Sequence, residues 1–165
     1  MENKLETKNI ADMSGLSPLQ KGILFHYLEN HNSDAYVEKV CVELKGVIQD
    51  ECFDNAWQAV VNAHEMLRAV FRWEKIQNPV QIILKEKRLN LEIYSLMDQE
   101  AVAIIKSKKV DLQHQPFSLV LLKGEFHHQL WLIYSHILLD GWSVSLLIKD
   151  FLDCYCALIE GHPLP

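Results

Sequence analysis

The chain contains 165 residues with a mass of 19.1 kDa, enough for one domain of ordinary size. Hydrophobic residues make up 49% of it and charged residues 23%, which excludes a chain that is disordered by composition. Sixteen Lys and Arg against twenty-two Asp and Glu give a net charge of -6 without a basic block, which disfavours nucleic acids and anionic membranes as partners.

Residues 1–14 mix charged and polar side chains without an apolar stretch. They have the composition of neither a signal peptide nor a membrane span, and we expect a flexible N-terminal segment. The longest apolar runs, Phe117–Leu122 and Leu130–Tyr134, are far too short to cross a bilayer. The four cysteines are scattered through a chain long enough to fold without disulfides, which is typical of reduced thiols in a cytoplasmic protein.

The first half of the chain predicts two helices and three strands. One helix begins at Ser17, where a Pro follows the cap and Gln20 completes a capping box, and its apolar residues repeat at helical spacing to about Glu29. Alternation over residues 39–44 predicts a half-buried strand. The following patterns predict a helix capped by Asp50 and then a hairpin with strands at Ala69–Glu74 and Val80–Leu84.

The second half predicts a short helix, a hairpin and a long helix. Asp98 is the expected cap of the short helix, which extends to about residue 106. Two apolar runs, Phe117–Lys123 and His128–His136, flank a short turn and predict antiparallel strands. Ser143 is the expected cap of the long helix, which ends at Gly161.

These elements predict the fold class. Helices and strands interleave along the chain, and two hairpins argue against a wholly parallel sheet. The expected architecture is α/β, a two-layer sandwich of a mixed, largely antiparallel β-sheet with packed helices.

The residues able to do chemistry concentrate where the second strand of the later hairpin ends. A strand of bulky residues ends at His136, an apolar turn leads to Asp140, and Gly141 precedes the long helix. A histidine at such a junction can act as a general base or stabilise a developing charge. On spacing alone two other interpretations stay open: a buried histidine beside a helix cap, and metal binding, for which no third ligand accompanies the pair.

Four stretches in order resemble the motifs of one family. Residues Ser135–Ser143 resemble the HHxxxDG signature of the condensation domains of nonribosomal peptide synthetases, which belong to the chloramphenicol acetyltransferase-like superfamily. Leu16–His26 resembles the family's opening motif, and His64–Phe71 resembles its RHExLRTxF motif. Val110–Pro116 is similar to the FDL…P stretch that precedes the hairpin. The resemblance spans nearly the whole chain.

The resemblance implies a reaction and a set of roles. In the family, a carrier-bound amine attacks a carrier-bound thioester, which forms an amide and frees the donor thiol. His136 matches the second signature histidine, which would take the amine proton or stabilise the tetrahedral intermediate. Asp140 matches a structural aspartate, for which Arg68 is the expected partner. Gly141 would allow close approach of the backbone, and Trp142 completes the matched motif.

The resemblance also implies partners. No cofactor is bound directly, and the substrates are carried on the 4'-phosphopantetheine arms of upstream and downstream peptidyl carrier proteins, beside an adenylation domain. A complete domain of the family has two similar halves, and the signature closes the first. Residues 15–165 are therefore expected to form the N-terminal subdomain, with the C-terminal subdomain absent, and the isolated chain is expected to fold with little or no activity.

The chain departs from the family pattern at three places, one of them Phe117-Ser118-Leu119, where the family often has an arginine. Ser135 replaces the first signature histidine, and Ala63 replaces the first arginine of the second motif. Strand alternation places Ser135 on the opposite side from His136, but a serine cannot fill the volume of an imidazole. These departures leave a second hypothesis, a non-catalytic module that binds or docks carrier proteins. A stand-alone trimeric acyltransferase that uses CoA is disfavoured, because those enzymes are longer than this chain.

Overall fold

The computed structural model describes residues 6–30 and 34–165, and these ranges contain seven strands and four α-helices. The strands are β1 (Ile10–Gly15), β2 (Val37–Lys45), β3 (Ala69–Arg72), β4 (Val80–Leu84), β5 (Leu91–Ser95), β6 (Phe117–Lys123) and β7 (His127–Ser135). The helices are α1 (Pro18–Glu29), α2 (Asp50–Ala63), α3 (Gln99–Ser107) and α4 (Gly141–Glu160). None of the helices in these ranges combines the length and apolar character needed to cross a membrane.

The strands form two sheets where the sequence suggested one. The larger sheet has the order β2-β7-β6-β5, and the smaller has the order β1-β4-β3. Both predicted hairpins are present, and only β5 and β6 pair in parallel among the named strands, so the predicted α/β class with largely antiparallel pairing is confirmed. We did not predict β5, because it reaches its parallel neighbour through α3 and so leaves no hairpin signal in the sequence.

Strand β1 corrects the expectation of a flexible segment over residues 1–14, of which residues 1–5 lie outside the described ranges. Residues 10–15 pair antiparallel with β4, for example Met13 opposite Ile82. The strand lies at the edge of the smaller sheet, and its side chains are mostly exposed. Backbone hydrogen bonds to β4 therefore stabilise it without the alternating burial that would mark a strand in the sequence.

The helix starts follow local hydrogen bonding. The capping box of α1 is confirmed: the Gln20 backbone N–H donates to Ser17 Oγ at 3.2 Å, and the Ser17 N–H donates to Gln20 Oε1 at 3.0 Å. Asp98 caps α3 as predicted, because its carboxylate accepts from the backbone of Glu100. The prediction for α2 is wrong by one residue: the cap position is Gln49, and Asp50 lies in the first turn.

An aromatic cluster joins α2 and α4 to the larger sheet. Trp57 of α2 stacks on Phe151 of α4 with ring centroids 4.4 Å apart, and it also contacts Phe117 of β6. Phe53 packs edge-on against the same Phe151 ring at 4.9 Å. All four rings are almost completely buried, so burial of their large apolar surfaces holds both helices against the sheet that carries β7.

Candidate active site

The strand pairing fixes the position of His136. It directly follows β7, whose Ser135 lies opposite Val37 of β2. The His136 backbone N–H donates to the Tyr36 carbonyl at 2.8 Å, which extends the ladder by one residue beyond the named strands. The sheet therefore holds the backbone of His136, which is the first residue of the loop after β7.

Both ring nitrogens of His136 lie close to oxygen acceptors. Nδ1 is 3.1 Å from the carbonyl oxygen of Leu139, and Nε2 is 3.3 Å from Glu38 Oε1. A carbonyl oxygen only accepts, so the Leu139 contact is a hydrogen bond when Nδ1 carries the proton. A neutral ring in this tautomer has its lone pair on Nε2, whereas an imidazolium donates to both oxygens. The side chain is 35% exposed, so the ring is partly open to solvent.

Glu38 is a site residue that the sequence analysis did not identify. It lies opposite Tyr134 in the β2–β7 ladder, and His136 is the next residue on the same face of β7. Diagonal neighbours at this spacing are within reach of long side chains. The sequence signal is a glutamate near the start of a predicted strand, but its meaning depends on which strand is the partner and in which register.

The predicted ion pair between Arg68 and Asp140 is wrong. The Arg68 guanidinium donates instead to the carbonyl oxygens of Val61 at 3.3 Å, Leu84 at 2.5 Å and Lys85 at 3.2 Å. Arg68 thus joins the last turn of α2 to the end of β4.

Asp140, and not the predicted Ser143, is the cap of α4. Its carboxylate Oδ1 accepts from the Ser143 backbone N–H at 2.8 Å. Hydrogen bonds from the backbone and side chain of Ser143 lower the pKa of the Asp140 carboxyl, so it is ionised at neutral pH. The anion also lies at the positive end of the α4 dipole. Asp140 therefore supports the site by starting the helix that follows the loop.

The loop between β7 and α4 is anchored by its apolar side chains. Ile137, Leu138 and Leu139 are all buried. Gln20 at the start of α1 donates to the Ile137 carbonyl at 3.2 Å and to the side chain of Gln81 on β4 at 2.8 Å. The Leu139 carbonyl that contacts His136 is therefore part of a packed loop.

The carboxylates give the site a negative potential. Burial raises the pKa of the Tyr134 phenol, and the charges of Glu38 and Asp140 raise it further. The Tyr134 ring packs edge-on against the His136 ring, with centroids 6.0 Å apart. Such surroundings favour a cationic reactant beside the histidine. Within the described residues, no group of three His, Cys, Asp or Glu side chains is arranged to hold a metal ion.

The remaining motif residues have different environments. Ser135 is 3% exposed, and its Oγ accepts from the Ile137 backbone N–H at 3.3 Å, so it faces the interior while His136 reaches the surface. A Cβ added to Gly141 would meet no atom within 4 Å, so this chain alone does not require a glycine there. Trp142 is 84% exposed and contributes little to the core.

Sequence comparison identifies relatives over almost the whole chain. The model of the condensation domain family matches residues 10–165. Surfactin synthase subunit 3 of Bacillus subtilis (strain 168) is 30% identical over 166 residues, which cover 93% of this chain and 13% of that protein. Tyrocidine synthase 3 of Brevibacillus parabrevis is 31% identical over 170 residues, which cover 96% of this chain and 3% of that protein.

Structural comparison supports the same fold. The starter condensation domain of the rhizomide synthetase matches with a TM-score of 0.82 at 23% identity, over 94% of this chain and 40% of that chain. At this identity the likeness shows the fold alone, which is the predicted chloramphenicol acetyltransferase-like α/β fold. The chain spans less than half of the solved domain and a small part of each sequence relative.

Replacing Asp140 tests its role as a cap. Asp140→Ala should lower the melting temperature at pH 7, whereas Asp140→Asn should retain most of it, because asparagine also caps helices well. The pKa of Asp140 is lowered in the fold, so its charge stabilises the protein above the usual value of 3.8, and this advantage is lost as the pH falls through the lowered pKa. Thermal unfolding from pH 7 to pH 2 measures this loss of stability.

A second comparison separates the cap from the rejected ion pair. The melting-temperature losses of Asp140→Ala and Arg68→Met should add in the double variant, because the two side chains share no contact. If Asp140→Asn were as damaging as Asp140→Ala, or if the double variant lost no more than one single variant, the carboxylate would act through a charged partner and not as a cap.

Proposed function

Because this chain belongs to the condensation domain family of nonribosomal peptide synthetases, we propose that it supplies the histidine-bearing half of an active site for amide formation. The donor is an acyl or peptidyl thioester on one carrier protein, and the acceptor is an aminoacyl group on another. The observation that carries the proposal is the setting of His136, whose Nδ1 lies 3.1 Å from the Leu139 carbonyl oxygen and whose side chain is partly exposed.

The chemistry follows from this tautomer. The acceptor nitrogen attacks the thioester carbonyl carbon, a C–N bond forms, and collapse of the tetrahedral intermediate breaks the C–S bond. His136 Nε2 accepts the proton that the attacking nitrogen loses, while the bond from Nδ1–H to Leu139 keeps the ring oriented. The proton then passes to the departing thiolate, so the histidine ends the cycle neutral.

Glu38 stabilises the charged state of the histidine. Its carboxylate lies 3.3 Å from Nε2, so it attracts the imidazolium that forms when His136 accepts a proton. The same charge attracts the acceptor amine while that amine is still an ammonium ion. In this role Glu38 is a positioning residue that acts through His136.

A second subdomain completes the site. The loop between β7 and α4, residues 136–140, is called the motif loop. Large apolar side chains are exposed on the two helices beside it, at Leu19 and Phe25 of α1 and at Trp142 and Leu146 of α4. Gln20 joins the start of α1 to that loop, which supports a common surface. We infer that this surface binds the C-terminal half of the domain and that residues 15–165 form the N-terminal half. The isolated chain is expected to be inactive.

The remaining partners follow from the reaction. The substrates arrive on the 4'-phosphopantetheine arms of upstream and downstream peptidyl carrier proteins, and an adjacent adenylation domain supplies the activated amino acid. The chain itself holds no cofactor in this scheme. All four cysteines are free thiols, which fits the cytoplasmic location that we propose.

Replacing the histidine tests the proposal directly. In the synthetase that contains this chain, with both carrier proteins loaded, His136→Ala should lower the rate of amide formation by about 10²- to 10⁴-fold, the usual contribution of a general base. His127→Ala, at an exposed position of the same strand, is the matched control and should keep full activity. Mass spectrometry of the carrier-bound product measures both, and the isolated chain should form none. Unchanged product formation by His136→Ala would reject the catalytic role.

Replacing Glu38 tests the stabilisation of the imidazolium. Glu38→Gln keeps an acceptor oxygen but removes the charge, and it should lower kcat about tenfold with a smaller change in KM for the acceptor, since charge-assisted hydrogen bonds are the stronger ones. Glu43→Gln, an exposed position on the same strand, is the control. Wild-type kcat in Glu38→Gln would show that the charge has no role, and full activity in Glu38→Ala would remove the residue from the mechanism.

The serine at position 135, in place of the first signature histidine, is the observation behind a second candidate function. This is a non-catalytic module that binds carrier proteins with a degenerate motif. The buried serine already satisfies the Ile137 N–H, and a histidine there would have to fit a larger ring into the packed interior. Under the leading proposal, Ser135→His in the synthetase therefore gives no gain in amide formation and a lower melting temperature. A large gain in product would instead favour the degenerate module.

A further inference from the structure

A cavity separate from the histidine site lies beside the end of β4. Its volume is about 660 Å³, within the range of small-molecule sites. The wall is formed by residues 84–88 and Asn90, by Val70 and Arg72 of β3, by the loop at residues 113–115 and by residues just before β1. Gln81, near the other end of β4, contacts Gln20 next to the motif loop, so the strand separates the cavity from the candidate active site.

The cavity is positively charged in an acidic protein. Its lining has five cationic side chains and two carboxylates, Glu6 and Glu86, a local excess of three positive charges in a chain of net charge -6. The cations are Lys8, Arg72, Lys85, Lys87 and Arg88. A concave surface lined by one sign of charge concentrates ions of the opposite sign.

Three of these cations have no carboxylate in hydrogen-bond contact. Arg72 Nη1 donates to the carbonyls of Phe71 and Gln113, and Lys87 Nζ donates to the Ala69 carbonyl at 3.3 Å. The Lys85 side chain makes no hydrogen bond or ion pair with any described residue. By contrast, the two other cations of the lining are paired, Lys8 with Glu6 and Arg88 with Asp54.

We propose that this cavity binds a small ligand through a phosphate group, with Arg72, Lys85 and Lys87 as its cationic contacts. A phosphate presents several acceptor oxygens, and an Arg with Nε and Nη2 unused within the described chain can donate to two of them. The two lysines supply point charges. The concavity is too small for a folded partner to enter, which favours a small anion.

Binding of an anion should depend on the charge of Lys87. Burial lowers the pKa of its ammonium group to about 8, although the charge of Asp111 opposes this shift. A bound anion favours the ammonium form, so affinity should be highest below that pH and should fall as Lys87 loses its proton. The carboxylates of Glu6 and Glu86 also line the cavity and oppose anion binding, and the imidazole of His114 is a further titratable group of the lining.

Binding is measured by calorimetry with the 165-residue chain, with inorganic phosphate as the probe at constant ionic strength. Lys85→Gln should weaken binding about three- to fivefold, as for an exposed charge pair, and Lys87→Gln by at least about tenfold. The Lys85 side chain has no polar contacts to lose, so its variant folds even where Lys87→Gln does not. Lys45→Gln, an exposed lysine outside the cavity, is the control and should bind as wild type.

Further arms of the experiment identify the class of ligand and test the dependence on Lys87. Tighter binding of a phosphate monoester than of inorganic phosphate would indicate a phosphorylated metabolite, and equal binding would indicate free phosphate; both support the site. Sulfate, whose charge is constant across neutral pH, should bind more weakly above pH 8 than below it.

Three outcomes would overturn the proposal: no saturable binding, an equal loss of affinity in Lys45→Gln, or binding only of an acidic protein. None of these measurements depends on amide formation, so they stand or fall separately from the proposed function.

Discussion

The antiparallel ladder between β2 and β7 is the constraint on which the candidate active site depends. It aligns nine residues of each strand and places Glu38 opposite Tyr134. The bond from the His136 N–H to the Tyr36 carbonyl continues the ladder into the motif. A slip of one residue would turn the side chains of β7 to the opposite face, so the register of the ladder determines the geometry of the candidate site.

The motif loop fixes the position of the His136 ring at the end of this ladder. Its apolar side chains are buried, and Asp140 starts α4 directly after it, so the Leu139 carbonyl cannot drift from Nδ1 without moving packed residues. The aspartate acts through backbone capping and needs no arginine. Arg68 meanwhile holds α2 and β4 together through three carbonyls. Asp140 and Arg68, which the family resemblance suggested as an ion pair, therefore serve different parts of the fold.

Local signals in the sequence predicted local structure well. The capping box at Ser17, the two hairpins and the cap at Asp98 depend on residues close in sequence, and the structure has all of them. Likewise, the histidine motif was recognisable as a pattern. What the sequence did not reveal depends on partners distant in the chain: the pairing of β1 with β4, the parallel strand β5, and Glu38 beside His136. A side chain that acquires its role from strand register has no local signature.

The pairing of distant segments also determines when the site can form. Glu38 and His136 are separated by 98 residues, and β2 has no β7 to pair with until most of the chain exists. Closing so long a loop makes the ladder one of the slower steps of folding. During synthesis β2 is made before β7, and a strand edge without its partner is prone to aggregation. The candidate catalytic centre is therefore among the last parts of this chain to be assembled during its synthesis.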